Sequence, residues 1–211
     1  MSAPVWERTL DVGTAEQTHA LGAALGAELE AGDLLVLSGE LGAGKTTFTQ
    51  GLGEGLGVRP GIISPTFVLV RIHPNLPDGP RPGGPDLVHV DAYRLGSAAE
   101  IDDIDLENTM DTSVTVVEWG RDRVEHLSES RLEIELHRRL GGAAPQPAEA
   151  PATSQPAAHP AEASEPAGLD FDTDDADEPR TVVFRGFGPR WTAPPAALAG
   201  FTAAATTPET D

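Results

Sequence analysis

Apolar and polar residues alternate along this chain in the manner of an α/β protein. Leu21, Leu25 and Leu29 recur every four residues, and Thr14 and Gln17 have the spacing of a helix capping box, so this pattern predicts a helix from residue 14 to about 31. The nearly continuous apolar run at 33–38 predicts a strand buried on both faces. The remaining pattern predicts helices over 46–56 and 98–110, the second weakly patterned, and strands over 66–72, 87–91, 114–118, 131–137 and 181–185.

One segment interrupts this alternation. Residues 141–179 contain nine acidic residues, no Lys or Arg, and many Pro and Ala, a composition typical of disorder. Because predicted strands flank it on both sides, we interpret it as a long insertion in a β-hairpin, which loop-closure entropy tolerates. The sequence therefore predicts one folded domain, residues 1–140 plus 180–191, with a disordered acidic insertion at 141–179 and a flexible C-terminal tail at 192–211.

Composition narrows the possible functions. The formal net charge of −20 opposes direct binding to nucleic acid and favours either simple solubility or attraction for a basic protein partner. The absence of cysteine excludes disulfides, thiolate metal sites and a thiol nucleophile. No apolar run approaches the length of a membrane span, and residues 1–8 lack the pattern of a signal peptide, so we expect a cytoplasmic protein.

The stretch GELGAGKTTF at 39–48 contains the single lysine of the chain, beside 13 arginines elsewhere. It matches the phosphate-binding pattern G-x-x-x-x-G-K-[ST], and it lies between a predicted buried strand and a predicted helix, as that motif requires. We expect the slim ammonium of Lys45 to reach the β and γ phosphates, where the planar fork of an arginine would clash. The Thr46 hydroxyl is then a ligand for Mg²⁺. The predicted fold is a three-layer α/β domain of the P-loop NTPase type, with a mostly parallel sheet and antiparallel C-terminal strands.

Two carboxylates end neighbouring predicted strands. Asp91 and Glu118 stand at the carboxyl ends of 87–91 and 114–118, where acids beside a phosphate loop hold magnesium and orient water. We therefore predict that Lys45, Asp91 and Glu118 form the catalytic group. Trp119 is interpreted as a packing residue, and His89 as a core residue.

Four stretches then converge on one family. GELGAGKTTFTQGL, SPTF at 64–67, HVDAYRL at 89–95 and VVEWG at 116–120 occur in an order and spacing that closely resemble the TsaE (YjeE) family of bacterial P-loop ATPases. The resemblance covers residues 9–140 and, weakly, 180–191. It implies a role in forming N6-threonylcarbamoyladenosine (t6A) beside the tRNA anticodon, in association with TsaD and TsaB homologues, with tRNA reached only through those partners.

The resemblance also implies specific site residues. ATP would be held by a set that combines the phosphate loop with a switch-like loop near the γ-phosphate: Glu40, Leu41, Gly42, Ala43, Gly44, Lys45, Thr46, Thr47, Ser64 and Thr66. Thr46 and Glu118 would hold Mg²⁺, Glu118 would alternatively orient the attacking water, and Asp91 would belong to the same cluster. The activity implied is a slow, Mg-dependent ATP hydrolysis that is weak without partners.

Two other functions remain open. A small-molecule kinase of the nucleoside type could use the same loop, although the 73–86 loop contains only Arg81 and the 141–179 segment has no arginine with which to cover phosphates. An ATP-dependent assembly factor whose hydrolysis is incidental is the second. A GTPase is a weaker alternative, because one lysine cannot serve both the phosphate loop and an N-K-x-D guanine motif.

Overall fold

Seven strands and two principal helices carry the architecture of the computed structural model, which describes residues 3–95, 97, 100–101, 104–139 and 178–203. The strands are β1 (Trp6–Val12), β2 (Leu34–Gly39), β3 (Val70–His73), β4 (Asp86–Asp91), β5 (Ser113–Glu118), β6 (Arg131–Arg138) and β7 (Arg180–Phe187). The α-helices of the described residues are α1 (Ala15–Gly26), α2 (Lys45–Leu56) and the single turn α3 (Glu107–Met110), and Glu100 and Ile101 are also helical.

All seven of these strands join one sheet in the order β1-β7-β6-β2-β5-β4-β3. The four central strands β6, β2, β5 and β4 are parallel, whereas β3 pairs antiparallel at one edge and β7 and β1 pair antiparallel at the other. The parallel centre places the carboxyl ends of β2, β4, β5 and β6 at one edge of the sheet. The α/β fold class is confirmed, including the antiparallel C-terminal strand.

The two faces of the sheet are covered by different segments. On β2, Leu35 and Leu37 pack in a core cluster with α1 and α2, while Leu34 and Val36 pack on the opposite face against the 101–110 segment. Because both faces are apolar, the strand reads as a continuous hydrophobic run. Three layers result, with the carboxyl end of β2 leading directly into α2.

Three predicted elements are shorter than expected. α1 keeps its Thr14 cap, whose hydroxyl accepts from the Gln17 N–H, but it ends at Gly26 rather than near residue 31. The strand predicted at 66–72 begins only at Val70, because the backbone turns after Pro65 and Leu69 has φ 66°. The helix predicted at 98–110 is interrupted by a turn at 104–106, where Asp105 has φ 55°, so α3 is a single turn.

Both ends of the described chain add to the domain. β1 pairs along its whole length with β7, and no strand had been predicted at 6–12. Residues 192–203 belong to the predicted flexible tail, yet Ala196–Gly200 form a 3₁₀ helix, Leu198 is buried, and Ala203 bridges to Leu10. Most of the predicted insertion, residues 141–177, lies outside the described residues; Glu178 and Pro179 are described.

α1 and α2 approach each other so closely that glycine is required at their interface. An added Cβ atom would clash with a backbone carbonyl oxygen of the facing helix at each of four positions: Gly22, Gly26, Gly51 and Gly55. At Gly51 it would lie 2.9 Å from the Ala23 nitrogen and closer still to the His19 carbonyl oxygen. The position of α2, and of the loop that precedes it, therefore depends on direct backbone packing.

Candidate active site

The glycine-rich loop at 39–44 connects β2 to α2. Gly39, Gly42 and Gly44 have φ values of 140°, 78° and 98°, a region that side chains disfavour. Gly44 stands at the N-cap of α2 and provides no side-chain cap for its first turn. The N–H groups of that turn therefore point out of the helix end, where the helix dipole favours an anion.

Lys45 lies inside this loop. Its side chain is buried, and its Nζ donates to the carbonyl oxygens of Gly39 and Glu40, both at 2.9 Å. Nζ also lies 4.0 Å from the centroid of the Trp119 ring, within the range of a cation–π contact. Burial lowers the pKa of Lys45, and the nearby carboxylates of Glu118, Asp91 and Glu40 oppose that shift. The loop thus binds the Lys45 ammonium through two neutral carbonyl oxygens, and an anionic ligand can replace these oxygens as the acceptors.

Glu118 ends β5 directly beside the start of α2. Its Oε1 accepts from the Thr46 hydroxyl at 3.3 Å and lies 2.9 Å from Nε2 of the fully buried His89. Both contacts use the same carboxylate oxygen. Oε2 is therefore the oxygen of Glu118 that remains for a metal ion or a water molecule.

Asp91 ends β4 and is paired in register with Glu118, but it makes different contacts. Its Oδ2 accepts from the hydroxyls of Ser64 and Thr66, at 3.1 and 2.7 Å, and its Oδ1 accepts from the Tyr93 N–H at 2.9 Å. The two hydroxyls also contact each other at 2.9 Å. Asp91 therefore fastens the 64–66 loop with Oδ2 and holds the main chain at Tyr93 with Oδ1, beside the carboxyl end of the sheet.

Trp119 has a backbone conformation that few non-glycine residues adopt, with φ 61°. Its N–H donates to the Leu37 carbonyl at 2.8 Å, and its ring lies 5.3 Å from the ring of the exposed Tyr93. This conformation turns the indole over Lys45 rather than into either hydrophobic core. Trp119 therefore packs against Lys45, which is a residue of the site.

The structure brings the predicted site residues together in two groups. Lys45, Thr46 and Glu118 form one, and Asp91 with the 64–66 loop forms the other. The remaining predicted positions line the loop: Glu40, Leu41 and Gly42 are exposed at its tip, Ala43 is buried, and Gly44 and Thr47 are half-buried.

Sequence reasoning missed two contacts in this site. His89 is buried, as predicted, but it also contacts the carboxylate of Glu118. Its position two residues before Asp91, on the same face of the strand, is the sequence feature that could have placed it in the site. The indole of Trp119 covers the lysine, and nothing in the linear pattern pointed to that orientation.

The residues present fit a magnesium-bound polyphosphate. The uncapped helix end and the Lys45 ammonium suit the phosphates, while the Thr46 hydroxyl and the Glu118 carboxylate are oxygen ligands of the kind that Mg²⁺ prefers. Within the described part of the chain, no three His, Asp or Glu side chains converge as a metal site of their own. The ion would thus depend on the phosphates for the rest of its coordination.

Comparison with known proteins identifies relatives of this arrangement. The family model described as "Threonylcarbamoyl adenosine biosynthesis protein TsaE" matches residues 12–142. A Streptomyces coelicolor protein named tRNA threonylcarbamoyladenosine biosynthesis protein TsaE is 47% identical over 182 residues, which cover 85% of this chain and 98% of that protein. A Bacillus subtilis protein of the same name is 39% identical over 124 residues, covering 58% of this chain and 73% of that one.

A solved structure is also similar. The crystal structure of Bacillus subtilis YdiB aligns with a TM-score of 0.55 and 27% sequence identity, over 88% of this chain and 89% of that chain. The resemblance inferred from four short stretches is therefore supported across most of the length of the molecule. The chain belongs to the TsaE family of threonylcarbamoyl adenosine biosynthesis proteins.

Proposed function

We propose that this protein binds and slowly hydrolyses Mg–ATP, and that this activity supports t6A modification of the tRNA adenosine beside the anticodon, together with TsaD and TsaB homologues. The observation that carries the proposal is the convergence of Lys45, Thr46 and Glu118 at the uncapped start of α2. The family membership supports the pathway, and the geometry of the loop supports the nucleotide.

Each side chain has a separate task in this proposal. Lys45 exchanges two neutral carbonyl acceptors for β and γ phosphate oxygens, which are stronger acceptors because they are charged. Thr46 and Glu118 would hold Mg²⁺, and the ion would supply positive charge beside the phosphates. Glu118 rather than Asp91 orients the attacking water, because Oε2 of Glu118 takes neither the Thr46 nor the His89 contact. Both oxygens of Asp91 are already in use, Oδ2 by the 64–66 loop and Oδ1 by the Tyr93 N–H.

Partner docking is supported by apolar side chains around the site. Leu41 at the tip of the loop is 87% exposed, and Phe67 and Tyr93, which follow the 64–66 loop and Asp91, are 84% and 63% exposed. Large apolar side chains in such a group are typical of protein–protein contacts. The net charge of −20 disfavours direct contact with tRNA, so the partners would reach the RNA.

The test is ATP hydrolysis by the purified chain, alone and with its own TsaB and TsaD homologues. We expect activity that depends on Lys45 and that rises when the pair is added, with Lys45→Ala as the inactive reference. Hydrolysis that is unchanged by the TsaB and TsaD homologues but rises with an added nucleoside would instead support a small-molecule kinase.

A second variant separates hydrolysis from simple nucleotide binding. Glu118→Gln keeps the size of the side chain, so it should bind ATP, hydrolyse it at least about 100-fold more slowly and fail to support modification. Asp111→Asn removes the same charge from an exposed position next to α3 and is the matched control. If Glu118→Gln still supports full modification, hydrolysis is incidental and the protein is an ATP-dependent assembly factor.

A further inference from the structure

Two arginines lie against the glycine-rich loop on the side away from the carboxylates. Arg138 of β6 and Arg180 of β7 are directly opposite each other in the antiparallel ladder. A Cβ atom at Gly42 would be 3.4 Å from Nη1 of Arg138, and one at Gly44 would be 3.4 Å from Nε of Arg180. Like charges directly opposite each other destabilise a strand pair, so this arrangement needs a compensating group.

Glu178 is a compensating group. Its Oε2 accepts from Arg138 Nε at 2.7 Å and from Nη2 at 2.6 Å, and its main-chain oxygen accepts from Arg180 Nη1 at 2.9 Å. Arg180 is only 7% exposed, and its Nε finds no hydrogen-bond partner within the described residues. Arg180 therefore retains a donor beside the loop that Glu178 does not use.

The charges around the loop are divided by side. Glu118 and Asp91 lie towards β5 and β4, while Arg138 and Arg180 lie towards β6 and β7 on the other side of β2. A phosphate without a metal ion is repelled by the carboxylate side and attracted by the arginine side. The part of a nucleotide that extends beyond the loop would accordingly leave it over the carboxyl end of β6.

We propose that Arg138 binds the α-phosphate of the nucleotide and that Glu178 is the carboxylate which this phosphate displaces. The inference rests on the proposed ATP binding, and it adds Glu178 as a residue that lowers the affinity for the nucleotide. A carboxylate and a phosphate offer an arginine fork the same paired oxygen acceptors, so each can substitute for the other. Because the ion pair has to open first, Glu178 weakens nucleotide affinity.

The experiment compares ADP with pyrophosphate, which contains the phosphates held by the loop but no nucleoside end. Dissociation constants of the full chain are measured calorimetrically in the presence of Mg²⁺. Glu178→Gln should bind ADP about threefold to tenfold more tightly, and Arg138→Met about tenfold more weakly. Pyrophosphate affinity should change by less than about twofold in both. In the double variant the gain from Glu178→Gln should disappear, because the arginine it released is absent.

Asp11→Asn is the matched control. Asp11 pairs with Arg139, the next residue after Arg138, at 2.8 Å, and this substitution removes one negative charge from the same strand region. It should leave ADP affinity unchanged. Thermal unfolding checks that each variant is folded, and Arg138→Lys, which keeps the charge but loses the fork, replaces Arg138→Met if the latter is unfolded.

Three results would overturn the inference: ADP affinity unchanged or weakened in Glu178→Gln, an equal gain in Asp11→Asn, or equal shifts for ADP and pyrophosphate. In each of these the wild-type chain still binds ADP, so the proposed function survives. A wild-type chain that binds neither ATP nor ADP would overturn the proposed function itself.

Discussion

The close contact between α1 and α2 makes a specific prediction about Gly51. Replacing it with alanine adds a methyl group 2.9 Å from the Ala23 nitrogen and closer to the His19 carbonyl oxygen, whereas ordinary contacts begin near 3.4 Å. Both obstacles belong to backbone, so the helices have to move apart until the nearer contact, with the His19 carbonyl oxygen, is relieved. Because neither backbone atom can rotate away, overpacking here costs about 2–3 kcal/mol, the upper part of its usual range. The higher helix propensity of alanine returns about 1 kcal/mol, leaving a net loss of about 1–2 kcal/mol.

Gly53→Ala is the matched control on the same helix. It gains the same helix propensity, but its added methyl group meets only side-chain atoms, the terminal Cδ1 of Ile62 and Cγ2 of Val58 at 3.1 Å, which adjust more easily than backbone. We expect this variant to be as stable as the wild type or up to about 1 kcal/mol more stable.

Thermal unfolding followed by circular dichroism distinguishes the two variants. For a domain of this size about 1 kcal/mol corresponds to about 2–4 °C, so Gly51→Ala should lower the midpoint by about 2–8 °C. A Gly51→Ala midpoint equal to or above that of Gly53→Ala would show that the helices are not held at backbone contact, and the reasoning would fail.

Three further variants test the site and the sheet. Lys45→Arg keeps the charge but not the shape, so ATP affinity should fall at least about tenfold at unchanged thermal stability; equal affinity measured by calorimetry would contradict this. Asp91→Asn removes the anionic acceptor that fastens the 64–66 loop, so partner-stimulated hydrolysis should fall about tenfold while pyrophosphate affinity is retained, and parallel losses would instead indicate a damaged loop. The hydrogen bond from Arg121 lowers the pKa of Glu135 from 4.5 to about 2, so its contribution to stability is present above pH 4.5 and is lost as the pH falls towards 2. Glu135→Gln should therefore be less stable at neutral pH and lose less of its stability on acidification, and parallel urea midpoints from pH 7 to pH 2 would refute it.

The parts of this molecule that the sequence predicted are those with a local cause. The glycine-rich loop, the strand before it and the helix after it are specified by one continuous stretch, and Asp91 and Glu118 stand where apolar runs end. The resemblance to the family could be inferred because its short stretches are continuous as well. A strand end of a parallel sheet is also a predictable location, since these ends meet at one edge.

The parts that escaped prediction depend on neighbours distant in sequence or on single backbone angles. Arg138 and Arg180 reach the loop only because β6 lies next to β2 and β7 next to β6, an order that no local pattern encodes. The positive φ of Leu69 shortens β3 although the surrounding residues are apolar and β-forming. Trp119 needs a similar angle to cover Lys45.

The burial of Lys45 has a practical consequence for the chemistry of the whole molecule. Apart from the α-amino group of the chain, the only primary amine lies at 5% exposure inside the loop, and burial lowers its pKa. Reagents that acylate lysines across the surface of ordinary proteins find a single lysine here besides the α-amino group, and they reach it only where the loop opens. An acylating nucleotide analogue would consequently mark one position, and the extent of labelling would report directly how often the site is accessible.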